Sequence, residues 1–118
     1  MLGGMHEATF LILTALVDQP RHGYGVIQEV AALSAGRFRL RPGTLYGALD
    51  RLTADGLVRA DGEEVIDGRL RRYYRLTTAG AKELADEAER LRRNAENATR
   101  RLAQFKSPGW AIAMDPVG

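Results

Sequence analysis

Three side chains within one short stretch can donate hydrogen bonds to a polyanion. Thr44, Tyr46 and Arg51 lie in Arg41-Pro42-Gly43-Thr44-Leu45-Tyr46-Gly47-Ala48-Leu49-Asp50-Arg51-Leu52. A hydroxyl, a phenol and a guanidinium are donors to phosphate oxygens and to base edges. In the same stretch Leu45, Ala48, Leu49 and Leu52 recur at i, i+3, i+4 and i+7, which stacks them on one side of an α-helix. Pro42 suits a first helical turn, where its missing N–H has no partner to lose. Gly56 is a C-terminal stop. The spacing predicts a helix over residues 42–52, buried behind and small, aromatic and basic in front. Two roles fit it: an ordinary amphipathic surface helix, or a helix that enters a DNA groove about 12 Å wide.

Other chemistries lack their residues. The chain has no cysteine, which removes disulfides, zinc-thiolate sites and thiol catalysis. Its two histidines, His6 and His22, are far apart in sequence and have no acid cluster nearby, so no metal site is expected. Ser34 and Ser107 are the only serines and form no nucleophile constellation. Gly23-Tyr24-Gly25 lacks the preceding strand of a dinucleotide loop. Neither an enzyme nor a cofactor is expected. The apolar run Phe10 to Val17 is far short of a membrane span, and Met1 to Thr9 carries no basic leader region. A soluble, cytoplasmic protein is the expectation.

The net charge of +2 says little. Its distribution says more. From Arg37 to Arg75 there are nine arginines and six acids. Four of the acids, Asp61, Glu63, Glu64 and Asp67, fall in one expected loop. Arginine forks onto phosphates and guanine edges.

The elements that must position these groups follow in order. Met5 to Val17 is a helix candidate, apolar almost all round. Asp18 to Gly23 is an expected loop. A second helix runs from about Gly23 to Leu33, with Tyr24, Ile27, Val30, Ala31 and Leu33 supplying its pattern. Arg37-Phe38-Arg39-Leu40 alternates as a short strand would. After the 42–52 helix, Leu57 to Ala60 and Arg69 to Leu76 read as the strands of a hairpin across a loop at 61–68. Leu70, Arg72, Tyr74 and Leu76 are expected on its inner face; Arg69, Arg71, Tyr73 and Arg75 on the outer. Thr77 or Thr78 can cap a last helix from Ala79 to about Phe105, with a junction near Thr77–Gly80. There Leu84, Ala88, Leu91, Ala95, Ala98, Leu102 and Phe105 repeat at spacings of four and three, a heptad seam. It can pack on its own domain or on a second copy, and a homodimer is the favoured reading.

This order describes a fold that is mainly α with a small β-hairpin: a winged helix-turn-helix plus a long C-terminal dimerisation helix. Residues 1–77 are the expected DNA-binding domain, 78–106 the dimerisation helix and 107–118 a tail.

His22-Gly23-Tyr24, then Gly43-Thr44-Leu45-Tyr46 with Leu49, Arg51-Leu52 and Gly56-Leu57-Val58, then Arg71-Arg72-Tyr73-Tyr74-Arg75-Leu76-Thr77 with Gly80, together resemble the PadR family of bacterial transcriptional regulators. The resemblance covers about residues 8–84. It implies a homodimer of winged helix-turn-helix domains, binding double-stranded DNA and usually repressing transcription; the single final helix resembles the short subfamily. Two departures stand out. Position 47, often proline in the family, is glycine. The wing loop is acidic, which phosphate would repel.

The candidate DNA-binding residues are Tyr24, Arg39, Arg41, Thr44, Tyr46, Gly47, Arg51, Arg69 and Arg71. Tyr46 is either a phosphate or thymine contact, or a half-buried ring packing on the neighbouring helix. Thr44 either caps its helix or touches DNA. Arg51 reaches phosphate or pairs with Asp50 or Asp55. Tyr24 contacts phosphate or packs in the core. Arg72, on the inner face, ranks below Arg69 and Arg71. Short-subfamily relatives bind flat aromatic ligands between aromatic walls at the dimer interface. A small-molecule effector is therefore a further expected partner, with Phe10, Phe105 and Trp110 as candidate walls. The alternative is that the tail around Trp110 frays or merely covers the long helix. A winged-helix adaptor that binds protein instead of DNA is the second reading, motivated by the acidic wing.

Overall fold

Helix α1, Glu7–Ala15, starts at His6 and buries Ile12, Leu13 and Ala15, with Leu16 just beyond. In this computed structural model, which describes residues 4–105, α1 stops two residues short of Val17. Arg21 helps end it. The Arg21 Nε donates to the Ala15 carbonyl at 2.7 Å and Nη2 reaches the Asp18 carboxylate, so a carbonyl without a helical partner is satisfied from outside. Val17 is left exposed.

Arg21–His22, expected as loop, is strand β1. It pairs antiparallel with the last strand, Arg21 opposite Tyr74 and His22 opposite Tyr73. Helix α2, Gly23–Leu33, follows directly. His22 is its N-cap, the ring Nδ1 accepting from the Gly25 N–H at 3.1 Å. The buried face of α2 is Gly23, Val26 and Val30; Tyr24 and Leu33, expected in its apolar pattern, are exposed. The helix closes through Ala35 and Gly36, both with positive φ.

Arg37–Leu40 is not a strand. Its backbone turns on Ser34, whose Oγ accepts from the Phe38 N–H at 2.9 Å. The alternation is real but reports packing: Phe38 and Leu40 lie half-buried against the core with no neighbouring strand to pair with. Helix α3, Pro42–Ala54, has proline in its first turn and buries Leu45, Ala48, Leu49 and Leu52, the four residues that the spacing selected. Gly56 ends it at φ 76°, with the Leu57 N–H donating to the Leu52 carbonyl.

The hairpin is longer and tighter than expected. Strand β2 is Val58–Ile66 and β3 is Arg69–Leu76, in a sheet of order β1-β3-β2. Only Asp67 and Gly68 connect them, with φ of 52° and 76°, the pair of left-handed residues that a two-residue hairpin turn favours. Asp61, Glu63 and Glu64 are thus strand residues, not loop. A register shift between Ala60 and Glu63 marks a bulge, and Gly62 within it has φ 88°. The inner face holds at Tyr74 and Leu76 and then runs out: Leu70 is 62% exposed and Arg72 is exposed. The far half of the hairpin stands clear of the core.

Helix α4 is Thr78–Ala103. Thr77 is its cap, its Oγ1 accepting from the Gly80 N–H at 3.0 Å and donating to the Gly56 carbonyl at 2.6 Å. The Thr77 N–H also donates to the Leu57 carbonyl. The junction is therefore pinned at several points. Gly80 is buried, and a Cβ there would run into the Leu57 carbonyl oxygen and come within 2.8 Å of Leu76 Cδ1.

The chain divides into two compact units, Met1–Glu87 and Ala88–Gly118. The first holds the core: Ile12 and Leu13 of α1, Val26 and Val30 of α2, Leu45 and Leu49 of α3, with Val58, Tyr74 and Leu84. Each such side chain contributes about 1.5–3 kcal/mol by leaving water. Among the described residues, the second is a solvated helix. Arg92 pairs there with both Glu89 and Glu96, and Arg93 lies 3.9 Å from Glu89.

Because the Leu57 carbonyl cannot yield without moving the α3–β2 turn, Gly80→Ala should cost about 2 kcal/mol or more. Urea unfolding of the variant against the parent chain measures it; equal midpoints and slopes would refute the close approach.

Candidate nucleic-acid interface

The outward side of α3 carries no side chain over its first half, with exposed Asp50 following. Opposite its buried leucines lies a ridge through Gly43 and Gly47, and a Cβ built on either meets no atom within 4 Å. Nothing in the fold requires glycine at these two positions. The flanks of the ridge carry the chemistry. On one side Tyr46 faces a groove that it lines with His22, Gly23, Tyr24 and Arg69 to Arg72. On the other, Thr44 and Arg51 line a groove with His6 and Thr9 of the α1 region and Leu40.

The wing-side groove gathers Tyr24, Tyr46, Arg69 and Arg71 from four expected sites scattered over 48 positions of sequence. Tyr24 is 60% exposed, which removes the core-packing reading. Tyr46 is 44% exposed, and its ring lies on the start of α2: a Cβ on Gly23 would meet its hydroxyl and come within 2.6 Å of its Cζ. The packing half of its two readings is therefore present, and its free edge faces the groove. Arg69 sits beside the hairpin turn and, among the described residues, makes no side-chain hydrogen bond or ion pair. Arg71 is half-buried, its Nη1 2.9 Å from His22 Nε2. Arg72 is held by Glu63 at 3.2 Å, and this bond raises its pKa above the ordinary guanidinium value.

On the other flank Thr44 is exposed and does not cap α3. Arg41 holds the N-cap position, with no side-chain hydrogen bond to the helix. Arg51 is exposed and pairs with neither Asp50 nor Asp55 among the described residues. Arg39 lies over Gly36, its Nη2 3.2 Å from where a Cβ would stand, and is exposed.

The wing acids face arginines. Glu63 opposes Arg72 and Glu64 opposes Arg71 across the ladder. Burial first, then the nearby Glu64 carboxylate, raises the pKa of the Tyr73 phenol. His22 meets Tyr73 edge to face at 5.4 Å. Burial first, then the Arg71 charge, holds its imidazole below the ordinary 6.5, with Glu64 opposing.

The seam residues are placed as follows. Leu84 is buried in the core of the first unit, so its surface is already covered. In the second unit Ala88, Leu91, Ala95, Ala98, Leu102 and Phe105 are exposed, with Leu102 at 69% and Phe105 at 65%. Phe10 is half-buried against the core. Trp110 and the tail lie outside the described residues, and so does the candidate effector wall that Trp110 would form. No helix among the described residues is long and apolar enough to cross a membrane.

Residues 12–86 match the transcriptional regulator PadR-like family. The chain belongs to the PadR-like family of transcriptional regulators. That family consists of regulators and not of enzymes. A transcriptional regulator of Mycobacterium tuberculosis is 44% identical over 80 residues, 68% of this chain and 71% of its own length. Among solved structures, a PadR family regulator from Clostridium difficile superposes with a TM-score of 0.68 at 24% identity, covering 82% of this chain and 99% of that one. Bacillus subtilis PadR in complex with operator DNA superposes with a TM-score of 0.61 at 22% identity, over 70% of this chain and 46% of that one. At these identities the two structures show the winged-helix fold.

Within this PadR-like fold the sequence reading missed His22 and Gly43. In the sequence His22 stands out only as a metal candidate and as the first residue of the His22-Gly23-Tyr24 block. The signal for its cap was available: a side-chain acceptor directly before Gly-Tyr-Gly-Val, at the start of a helical period. Gly47, where the family often has proline, is a mid-helix glycine with open space around it. It costs α3 conformational entropy and secures no contact in return. Gly47→Ala should therefore raise stability by about 0.5–1 kcal/mol. A thermal midpoint unchanged or lowered would show that the position carries a constraint the fold does not reveal.

Proposed function

We propose that the chain is a homodimeric, operator-binding repressor that sets α3 in a major groove. The observation that carries this reading is the bare Gly43–Gly47 ridge flanked by donors on both sides. A helix whose first two turns carry no side chain on the leading ridge can bring that part of its backbone close to base edges. Thr44 and Arg51 then face one groove wall, and Tyr46, Tyr24, Arg69 and Arg71 the other. Arg39 and Arg41 precede the helix, both exposed, and serve the backbone. The operator complex of the B. subtilis relative supports DNA as the partner. The exposed seam from Ala88 to Phe105 supports a second copy, which would place two α3 helices on one duplex. Release by a small aromatic effector is carried by the family resemblance alone. The motive of the adaptor reading is weakened in part: of the four wing acids, Glu63 and Glu64 oppose arginines of the same hairpin and Glu63 pairs with Arg72.

Selection of bound fragments from genomic DNA by the purified protein tests the reading directly. Enrichment of a two-fold symmetric site near a promoter is expected; no enrichment at low salt would overturn it. On the selected site, Arg51→Ala and Arg69→Ala should each weaken binding and lower the slope of log K against log salt by about one, as loss of one phosphate contact requires. A full slope in both variants would remove these residues from the interface. Replacing Leu91 and Leu102 together by glutamate should halve the molar mass measured by light scattering while leaving the first unit folded. A mass that stays dimeric would place the interface elsewhere.

A further inference from the structure

His22 stands between two donors. Its Nδ1 accepts from the Gly25 N–H at 3.1 Å, and Arg71 Nη1 lies 2.9 Å from its Nε2. A neutral imidazole accepts at one nitrogen and donates at the other. The backbone amide can only donate, so Nδ1 is the acceptor and the proton sits on Nε2. Nε2–H and the Arg71 guanidinium then face each other as two donors at hydrogen-bond distance. Among the described residues no ion pair draws Arg71 away, although Glu64 opposes it across the strands. Two donors brought together in this way lack one thing, an acceptor that both can reach.

We propose that His22 Nε2–H and Arg71 form a two-donor seat for one backbone phosphate of duplex DNA, in the groove between α2 and the wing. This deepens the proposed function and rests on it. The groove has the right surroundings for an anion held at the backbone. Tyr24 lines it from α2, Tyr46 from α3, and Arg69 and Arg72 from the wing. The charged and titratable groups facing the ring are Arg71 and Tyr73 on β3, Glu64 on β2, and the two tyrosines of α2 and α3. Arg21, on the ring's own strand, is held by Asp18 and Glu29. The phosphate would give Arg71 the acceptor that the imidazole cannot supply, and it would link the wing to the start of α2.

A proton follows the phosphate. In the free protein, burial and the Arg71 charge hold His22 neutral below its ordinary value. A phosphate bound to Nε2–H adds negative charge and favours the imidazolium. The complex therefore binds the proton more tightly than the free protein does, and affinity for DNA rises as pH falls. Protonation also takes the Nδ1 acceptor from the Gly25 N–H, which the bound phosphate must offset.

His22→Asn isolates this role, because asparagine is itself a favoured N-cap that accepts from the helix amide yet offers no second donor at the Nε2 position. Binding to a duplex from the genomic selection is measured at constant salt from about pH 7.5 to 5.5. For the parent chain, affinity should rise by about fivefold across that range, the equivalent of a one-unit rise in the His22 pKa on binding. For His22→Asn the rise should be absent, and binding at pH 7.5 should be weaker by about threefold to tenfold. His6, the only other histidine, is common to both proteins and drops out of the difference. Arg71→Gln should also weaken binding and shrink the pH response. A direct reading needs no variant: the His22 ring signals in NMR should titrate at higher pH with the duplex than without it, while inorganic phosphate at the same ionic strength leaves them in place. Equal pH profiles for the parent chain and His22→Asn, or a ring titration unmoved by the duplex, would overturn the seat while leaving DNA binding standing. An equal shift with inorganic phosphate would overturn its assignment to the DNA backbone. If the parent chain bound no duplex at any pH, the proposed function would fall and the seat with it.

Discussion

The ring of Tyr46 lies on Gly23, and much of the interface depends on that contact. Without a Cβ at position 23, α3 comes close enough for its tyrosine to cover the first turn of α2. The first turn of α2 is also where His22 caps the helix and where β1 joins the wing. One missing methyl group thus brings three elements together: the helix proposed to enter the groove, the helix before it, and the hairpin beside it. Leu45 and Leu49 hold α3 against the core from behind. The tyrosine sets its position sideways. A larger residue at 23 would push the ring outward into the groove that the donors share.

The parts of this architecture that were legible in the sequence are those governed by burial. Leu45, Ala48, Leu49 and Leu52 announce α3 because one face of it is dry, and the long final helix announces itself by its heptad seam. Where burial is weak or two-sided, the pattern fails. Strand β1 is two residues long and has no period to show. The outer half of the hairpin is solvated on both faces, so Asp61 to Ile66 reads as loop although its backbone is paired. The Asp67-Gly68 turn was present as a strong dipeptide signal, hidden by the acids and the earlier glycine around it. Arg37 to Leu40 erred the other way: its alternation recorded two half-buried side chains on an unpaired segment. Of the site, residue types and their rough grouping were legible. The pairing of His22 with Arg71 was not, because it depends on the register of a strand that the sequence does not mark.

Charge in the wing is arranged locally. Arg72 is taken up by Glu63, while Arg69 stays open at the turn. The hairpin therefore presents fewer available cations than its sequence suggests: Arg69 beside the turn, Arg71 on the groove side, and the exposed Arg59 and Arg75 at its base. Long-range attraction to a polyanion would come from the whole arginine-rich segment, while close contacts fall to the few side chains without an internal partner.

Strand β2 is an edge of its sheet, and its outer hydrogen-bonding groups have no neighbouring strand among the described residues. A nine-residue edge of this kind can template a strand from another molecule. The acids at 61, 63 and 64 and the bulge at Gly62 interrupt it with like charge and a kink, two devices by which solvated sheet edges resist edge-to-edge aggregation. Residues that looked like an obstacle to DNA thereby gain a second account. They keep a wing that stands clear of its core from pairing with the wing of the next molecule.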